Sequence, residues 1–287
     1  CIGKVRRGLL FLKSGEGKGG VVSMAKIKVY DLTQPIGIST PPWPTYEPMK
    51  LWYFKRKTVQ KVNGQIVQTS MHNGTHLDGQ RHFMTGGKDI ASLPLEGYLF
   101  GEGVIVDISE EVGMFDIYRP EHFYNVAKRH GFEYKKGDIL IINTGFHKYA
   151  WDQPEADEEK YYYMHPGPDK EFADWCIEMG FKWLGVDCGS ADHPMNTVLR
   201  QLRPDIAALA DEHFKKKYGK GLDGFFGEET YQMMHNYLFP HMIIHAENLG
   251  GEIDKVLNRR MYIGIFPWKL VDGESSIARV AAFEIVG

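Results

Sequence analysis

Between positions 72 and 82 the chain reads His-Asn-Gly-Thr-His-Leu-Asp-Gly-Gln-Arg-His, which places three imidazoles and a carboxylate in eleven residues. Burying ionisable groups is costly unless they are paired or bound to metal. A segment this dense in His and Asp therefore constrains what must surround it. His72, His76, Asp78 and His82 all occupy even positions, and alternate residues of an extended strand share one face. Asn73-Gly74 and β-branched Thr75 disfavour a helix here, although His72 and His76 at i and i+4 would converge on one as well. Either geometry brings His72, His76 and Asp78 within reach of one ion. Imidazole and carboxylate donors suit zinc, manganese or iron.

The chain has 287 residues, 43% of them hydrophobic, enough for one large domain or two small ones with a proper core. A net charge of −3 gives no electrostatic case for nucleic acid. No apolar run approaches the ~20 residues of a membrane span. Cys1, Cys176 and Cys188 make no disulfide framework, and the odd count fits a reducing, cytoplasmic setting. Residues 1–23 hold five Lys and Arg against Glu16, and Met24 is the first methionine. Residues 1–23 are expected to be an extension outside the native protein, with translation starting at Met24. The functional domain is then 24–287.

Strand patterns occupy residues 26–32, 103–108, 138–143, 182–187, 242–247, 261–266 and 278–285. Residues 51–59 and 65–71 are expected to pair as a hairpin through Asn63-Gly64. Helices are expected over 120–130, ended by Gly131, over 169–179, ended by Gly180, and across 197–218, with a short one at 228–238. Strands and helices interleave without a clean break. The expected fold is a single α/β domain with a mixed sheet and flanking helices.

The metal segment resembles the cyclase family of metal-dependent hydrolases, which includes bacterial kynurenine formamidases and isatin hydrolases. That family's hallmark is His-x-Gly-Thr-His-x-Asp-x-Pro-x-His, matched here by His72, Gly74, Thr75, His76, Asp78 and His82. Gln80 replaces the proline and leaves the side-chain ligands intact. The likeness extends to Tyr30-Asp31-Leu32-Thr33, Gly137-Asp138, Asn143-Thr144-Gly145, His165-Pro166-Gly167 and Gly185-Val186-Asp187 with Ser190 and Asp192. The resemblance implies a swivelling β/β/α architecture and a homodimer or higher homo-oligomer. It also implies that His235 and Glu247 ligate a second ion, giving one or two divalent ions, Mn or Zn, per subunit. Extra length around residues 194–229 makes the chain more similar to the isatin hydrolase branch.

An ion on His72, His76 and Asp78 keeps open positions, would acidify water and would polarise a carbonyl. His82, outside that trio, is the expected catalytic acid/base. Trp43, Phe83 and Phe146 are candidate walls for a planar small-molecule substrate, Trp43 and Phe146 as its binding residues. Cys188 reads as a buried structural thiol. His147 and His213 read as solvated, and His241 and His245 as groups that could support a metal ligand. The expected activity is hydrolysis of a C–N bond other than a peptide bond, in a cyclic amide or imide, isatin-like or lactam. The alternatives are an arylformamidase acting on N-formylkynurenine, a cyclase or dehydratase, and a metal-stabilised scaffold without turnover.

Overall fold

The computed structural model describes residues 25–286 together with the backbone of Leu9 and Leu10. The expectation of a non-native extension over 1–23 otherwise lies outside the described residues. The strands are β1 Ala25–Asp31, β2 Lys50–Lys55, β3 Gly64–Gln68, β4 His76–Asp78 and β5 Phe100–Asp107. They continue as β6 Ile139–Asn143, β7 Trp183–Val186, β8 Ile244–Glu247, β9 Arg259–Pro267 and β10 Ser275–Val286. The helices are α1 Pro120–His130, α2 Glu158–Tyr163, α3 Lys170–Met179, α4 Pro204–Tyr218 and α5 Met233–Asn236.

The main sheet runs β1-β10-β9-β5-β6-β7-β8-β4, with Leu9–Leu10 paired on the outer side of β1, and β4 also pairs with the start of β10. That last pairing closes seven of the strands into a barrel-like ring. Strands β5, β6, β7 and β8 are parallel, and the other pairings are antiparallel, so the sheet is mixed as expected. The parallel strands read as near-continuous apolar runs because both faces are covered. All five residues of β6 are buried. Ile105, Ile139, Ile141, Trp183, Ile244 and Leu77 fill the inside of the ring with residues from β9 and β10. Val104, Val106, Leu140, Ile142, Leu184 and Val186 point the other way and pack against Phe123, Phe172, Trp175 and Phe214 of the helices. Full burial of each such side chain contributes roughly 1.5–3 kcal/mol.

The helix ends follow the expected signals. Pro120 starts α1 and Gly131, at φ 70°, ends it. Asp169 caps α3 by accepting from the Glu171 and Phe172 amides, and Gly180 at φ 56° stops it. Other boundaries move for identifiable reasons. Pro204 cannot continue the expected 197–218 helix, so a turn at Leu199–Leu202 precedes α4. Residues 228–238 split into a tight turn and the four-residue α5. The hairpin β2–β3 forms, but Lys57–Gln60 coils into a helical turn ahead of Asn63-Gly64.

Candidate metal centre

Strand pairing assembles the centre. Only His76–Asp78 of the metal segment is a strand. His72 lies in the preceding loop and His82 on a 3-10 turn, Gln80–His82, so the shared-face reading holds for His76 and Asp78 alone. Asp78 stands beside His245 of β8, and His76 beside Glu247. Because Leu77 and Ala246 fill the ring, these four side chains all point to its opposite face. His235 arrives from α5, and every one of these groups is buried.

Asp78 is the hub. His72 Nδ1 is 2.8 Å and His76 Nε2 3.3 Å from its Oδ1. His235 Nε2 and His245 Nε2 are 3.7 and 3.4 Å from its Oδ2. Glu247 lies 3.7 Å from His76 and 3.4 Å from His245. Surrounding groups fix the ligand orientations. His76 Nδ1 donates to the Gly74 carbonyl at 2.8 Å, His235 Nδ1 meets Asp192 at 2.7 Å, and Glu247 accepts from the Ala191 amide at 2.8 Å. Such outer contacts set which imidazole nitrogen is free to bind metal.

With Nδ1 committed to Gly74, His76 turns Nε2 to the cluster, where it is buried and has no hydrogen-bond partner. It faces Asp78 Oδ1 at 3.3 Å, and His72 Nδ1 approaches the same oxygen at 2.8 Å. An unpartnered buried imidazole nitrogen beside a buried carboxylate calls for a cation between them. The donor set therefore fits a divalent ion. Without one the cluster holds protons instead. Burial pulls His72 down, but Asp78 and Glu274 outweigh it and raise it to about 10. Burial likewise opposes His235, and Asp192 and Asp78 lift it to about 10. Burial works against ionised Asp78, yet His72 and His76 hold its carboxyl well below the usual range.

A cavity of about 220 Å³ opens onto His72, Asp78, His82, His235 and Glu247, walled by Trp43, Tyr46, Phe83, Val198, Thr45, Ser190 and Gln232. Trp43 thus stands where the sequence places it. Phe146 does not: its ring is buried among helix-side apolar residues against Tyr149 and is absent from the cavity wall. A Thr-Gly turn followed by an aromatic residue does not reveal which way that ring turns. His147 is not solvated either; it bridges Asp187 at 3.0 Å and Asp254 at 3.2 Å. His213 binds Asp116 at 2.8 Å. Cys188 is a buried thiol that burial holds well above its ordinary pKa, consistent with a structural role.

Two site residues carry little sequence signal. Glu274 approaches His82 Nδ1 at 2.8 Å and His72 Nε2 at 2.9 Å from the turn before β10. Nothing local to Asp272-Gly273-Glu274 distinguishes it from an exposed turn. Tyr46 packs against His72 with its ring tilted 54° to the imidazole, centroids 5.1 Å apart. His245 was legible in principle, since on a strand it shares a face with Glu247. Gln80 does by hydrogen bonding what a proline would do by ring closure. Its amide donates to the Phe239 carbonyl at 2.6 Å and accepts from the Lys88 amide at 3.1 Å, pinning the turn that carries His82.

The closed ring, flanked by helices, carries a buried carboxylate-and-imidazole cluster that could hold a metal ion. A family model described as "Putative cyclase" matches residues 30–193, more than half of the chain, and the chain belongs to that family. Among curated proteins it is 26% identical over 165 residues to a kynurenine formamidase of Bacillus cereus, covering 56% of this chain and 69% of that one. Among solved structures, isatin hydrolase A from Ralstonia solanacearum shares the fold with a TM-score of 0.69 at 20% identity, over 91% of this chain and 92% of that one. A structure described as a potential metal-dependent hydrolase with cyclase activity aligns at TM-score 0.60 and 18% identity, over 90% and 98% of the two chains. Among the described residues, no helix is long and apolar enough to cross a membrane.

Proposed function

We propose that the protein is a metal-dependent amidohydrolase that opens a cyclic amide or imide, isatin-like or lactam, at a C–N bond. The observation that carries this reading is the unpartnered, buried His76 Nε2 facing Asp78 beside a cavity that also receives a spare imidazole, His82. His72, His76 and Asp78 would hold one divalent ion, zinc or manganese, with Asp78, His235 and Glu247 available to a second. A bound ion would supply an acidified water and carbonyl polarisation.

The chain's own groups do the rest. Glu274 accepts from His82 Nδ1, which leaves Nε2 of that ring to take a proton from water and return it to the leaving nitrogen. An imidazole suits both transfers near neutral pH. Protonating the nitrogen matters because an amide nitrogen is a poor leaving group. Trp43, Tyr46 and Phe83 offer flat apolar walls to a planar ring. Cys176 and Cys188, both free and buried, suit work in a reducing cytoplasm.

A second reading, an arylformamidase acting on N-formylkynurenine, is favoured by the likeness to bacterial kynurenine formamidases. Both readings use the same ligands and His82. A turnover panel of isatin, small lactams, imides and N-formylkynurenine separates them. Ring opening is the expected result, formamide cleavage alone would promote the second reading, and a product formed with loss of water would mark a cyclase or dehydratase.

A further inference from the structure

Four buried ligand atoms converge on the side of Asp78 away from His72. They are Asp78 Oδ2, Glu247 Oε1, His235 Nε2 and His245 Nε2. His245 Nε2 stands 3.2 Å from His235 Nε2 and 3.4 Å from each of the two carboxylate oxygens, and His235 Nε2 is 3.7 Å from Asp78. Ligands held ~2.0–2.2 Å from a tetrahedral zinc stand about 3.3–3.6 Å from one another. The four separations, 3.2–3.7 Å, are close to those of ligands in a tetrahedral shell.

The orientation of the two rings favours the same conclusion. His235 Nδ1 is engaged with Asp192 at 2.7 Å, which turns Nε2 of that ring to the cluster. His245 Nδ1 is buried with no partner, so all the polar contacts of the His245 ring lie at the cluster.

We propose that His245 is a metal ligand, completing a closed site of two imidazoles and two carboxylates that leaves no position for water or substrate. The site would differ from the one on His72, His76 and Asp78 in the number of ligands the chain supplies, four against three, although His235 and Glu247 border the same cavity as His72 and Asp78. Asp78 would serve both, since His72 and His76 approach its Oδ1 and His235 and His245 its Oδ2. Two imidazoles and two carboxylates in a tetrahedral shell suit zinc. The proposal rests on the hydrolase reading only in taking the cluster as a metal centre.

The test is cobalt(II) titration of the metal-stripped full chain against a competing chelator, followed by visible absorption. Wild type is expected to take up two equivalents, one of them with the intense absorption of four-coordinate cobalt. His245→Ala and the bulkier, polar His245→Asn should both lose that equivalent and its band while keeping the other. The weakening should exceed ~100-fold, beyond the ~10–100-fold that losing an outer-shell contact costs. His72→Ala should lose the equivalent without the band. Circular dichroism checks that each variant folds. Both His245 variants retaining two equivalents and an unchanged band would overturn the proposal, as would a wild type that never binds a second ion. No turnover is read, so silence across the substrate panel leaves this result standing, whereas a wild type that binds no cation defeats both readings.

Discussion

At the scale of single residues, the division of labour between ligand and base is the point most open to attack. His82→Ala should retain its metal and lose turnover by ~10²–10⁴-fold, the range a positioned acid/base supplies. Metal analysis beside steady-state kinetics checks this, and unchanged turnover would remove His82 from the mechanism. Glu274 holds the other nitrogen of that ring and also touches His72. Burial alone would raise its carboxyl, but His72 and His82 hold it well below the usual range, so it stays ionised. Glu274→Gln keeps the shape and removes the charge. Its kcat is expected to fall ~10–100-fold with KM nearly unchanged, while Glu274→Asp recovers part of the loss. An equal rise in KM would instead make Glu274 a substrate contact. The core of this site was legible because His72, His76, Asp78 and His82 are close in sequence and chemically costly to bury unpaired. Glu274 was not, because it reaches them only through the pairing of β4 with β10, about 200 residues apart in the chain.

At the scale of elements, local signals carried furthest where one residue decides the outcome. Gly131 and Gly180 stop α1 and α3 in left-handed conformations that glycine adopts without strain. The expected strands recur because β-branched runs buried on both faces have few other solutions. Short elements such as α5 and the turn carrying His82 follow tertiary contacts, which periodicity does not register. One such contact joins β7 to a distant loop. His147 lies between Asp187, just after β7, and Asp254. Burial opposes the charged ring, but Asp187 and Asp254 raise it to about 9. A raised histidine contributes its full stabilisation below the unfolded value near 6.5 and loses it as pH rises through about 9. His147→Ala is therefore expected to cost roughly 1–3 kcal/mol at pH 6, with the gap to wild type closing by pH 10. Urea denaturation at the two pH values reads this, and a pH-independent gap would show that packing, not charge, accounts for the loss.

At the scale of the whole molecule, the hairpin β2–β3 stands apart from the closed ring. A two-stranded hairpin is marginal alone in water, yet this one leaves Leu51, Trp52, Tyr53, Phe54, Ile66 and Val67 between 42% and 52% exposed. Apolar side chains left exposed on both faces of a hairpin suit an interface, and we propose, from the family resemblance, that a second copy of the chain covers them. Light scattering is expected to give twice the chain mass, and Trp52→Asp with Val67→Asp should halve it without unfolding the ring. A wild-type monomer would refute the homodimer. In the proposed function this ring holds a metal centre at its edge in order to add water across a C–N bond. Its most direct test is turnover of the responding substrate in ¹⁸O-labelled water, with and without a chelator. The expected result is one labelled oxygen in the opened product and a rate that the chelator abolishes and added zinc or manganese restores. A product without label, or a rate indifferent to the chelator, would contradict it.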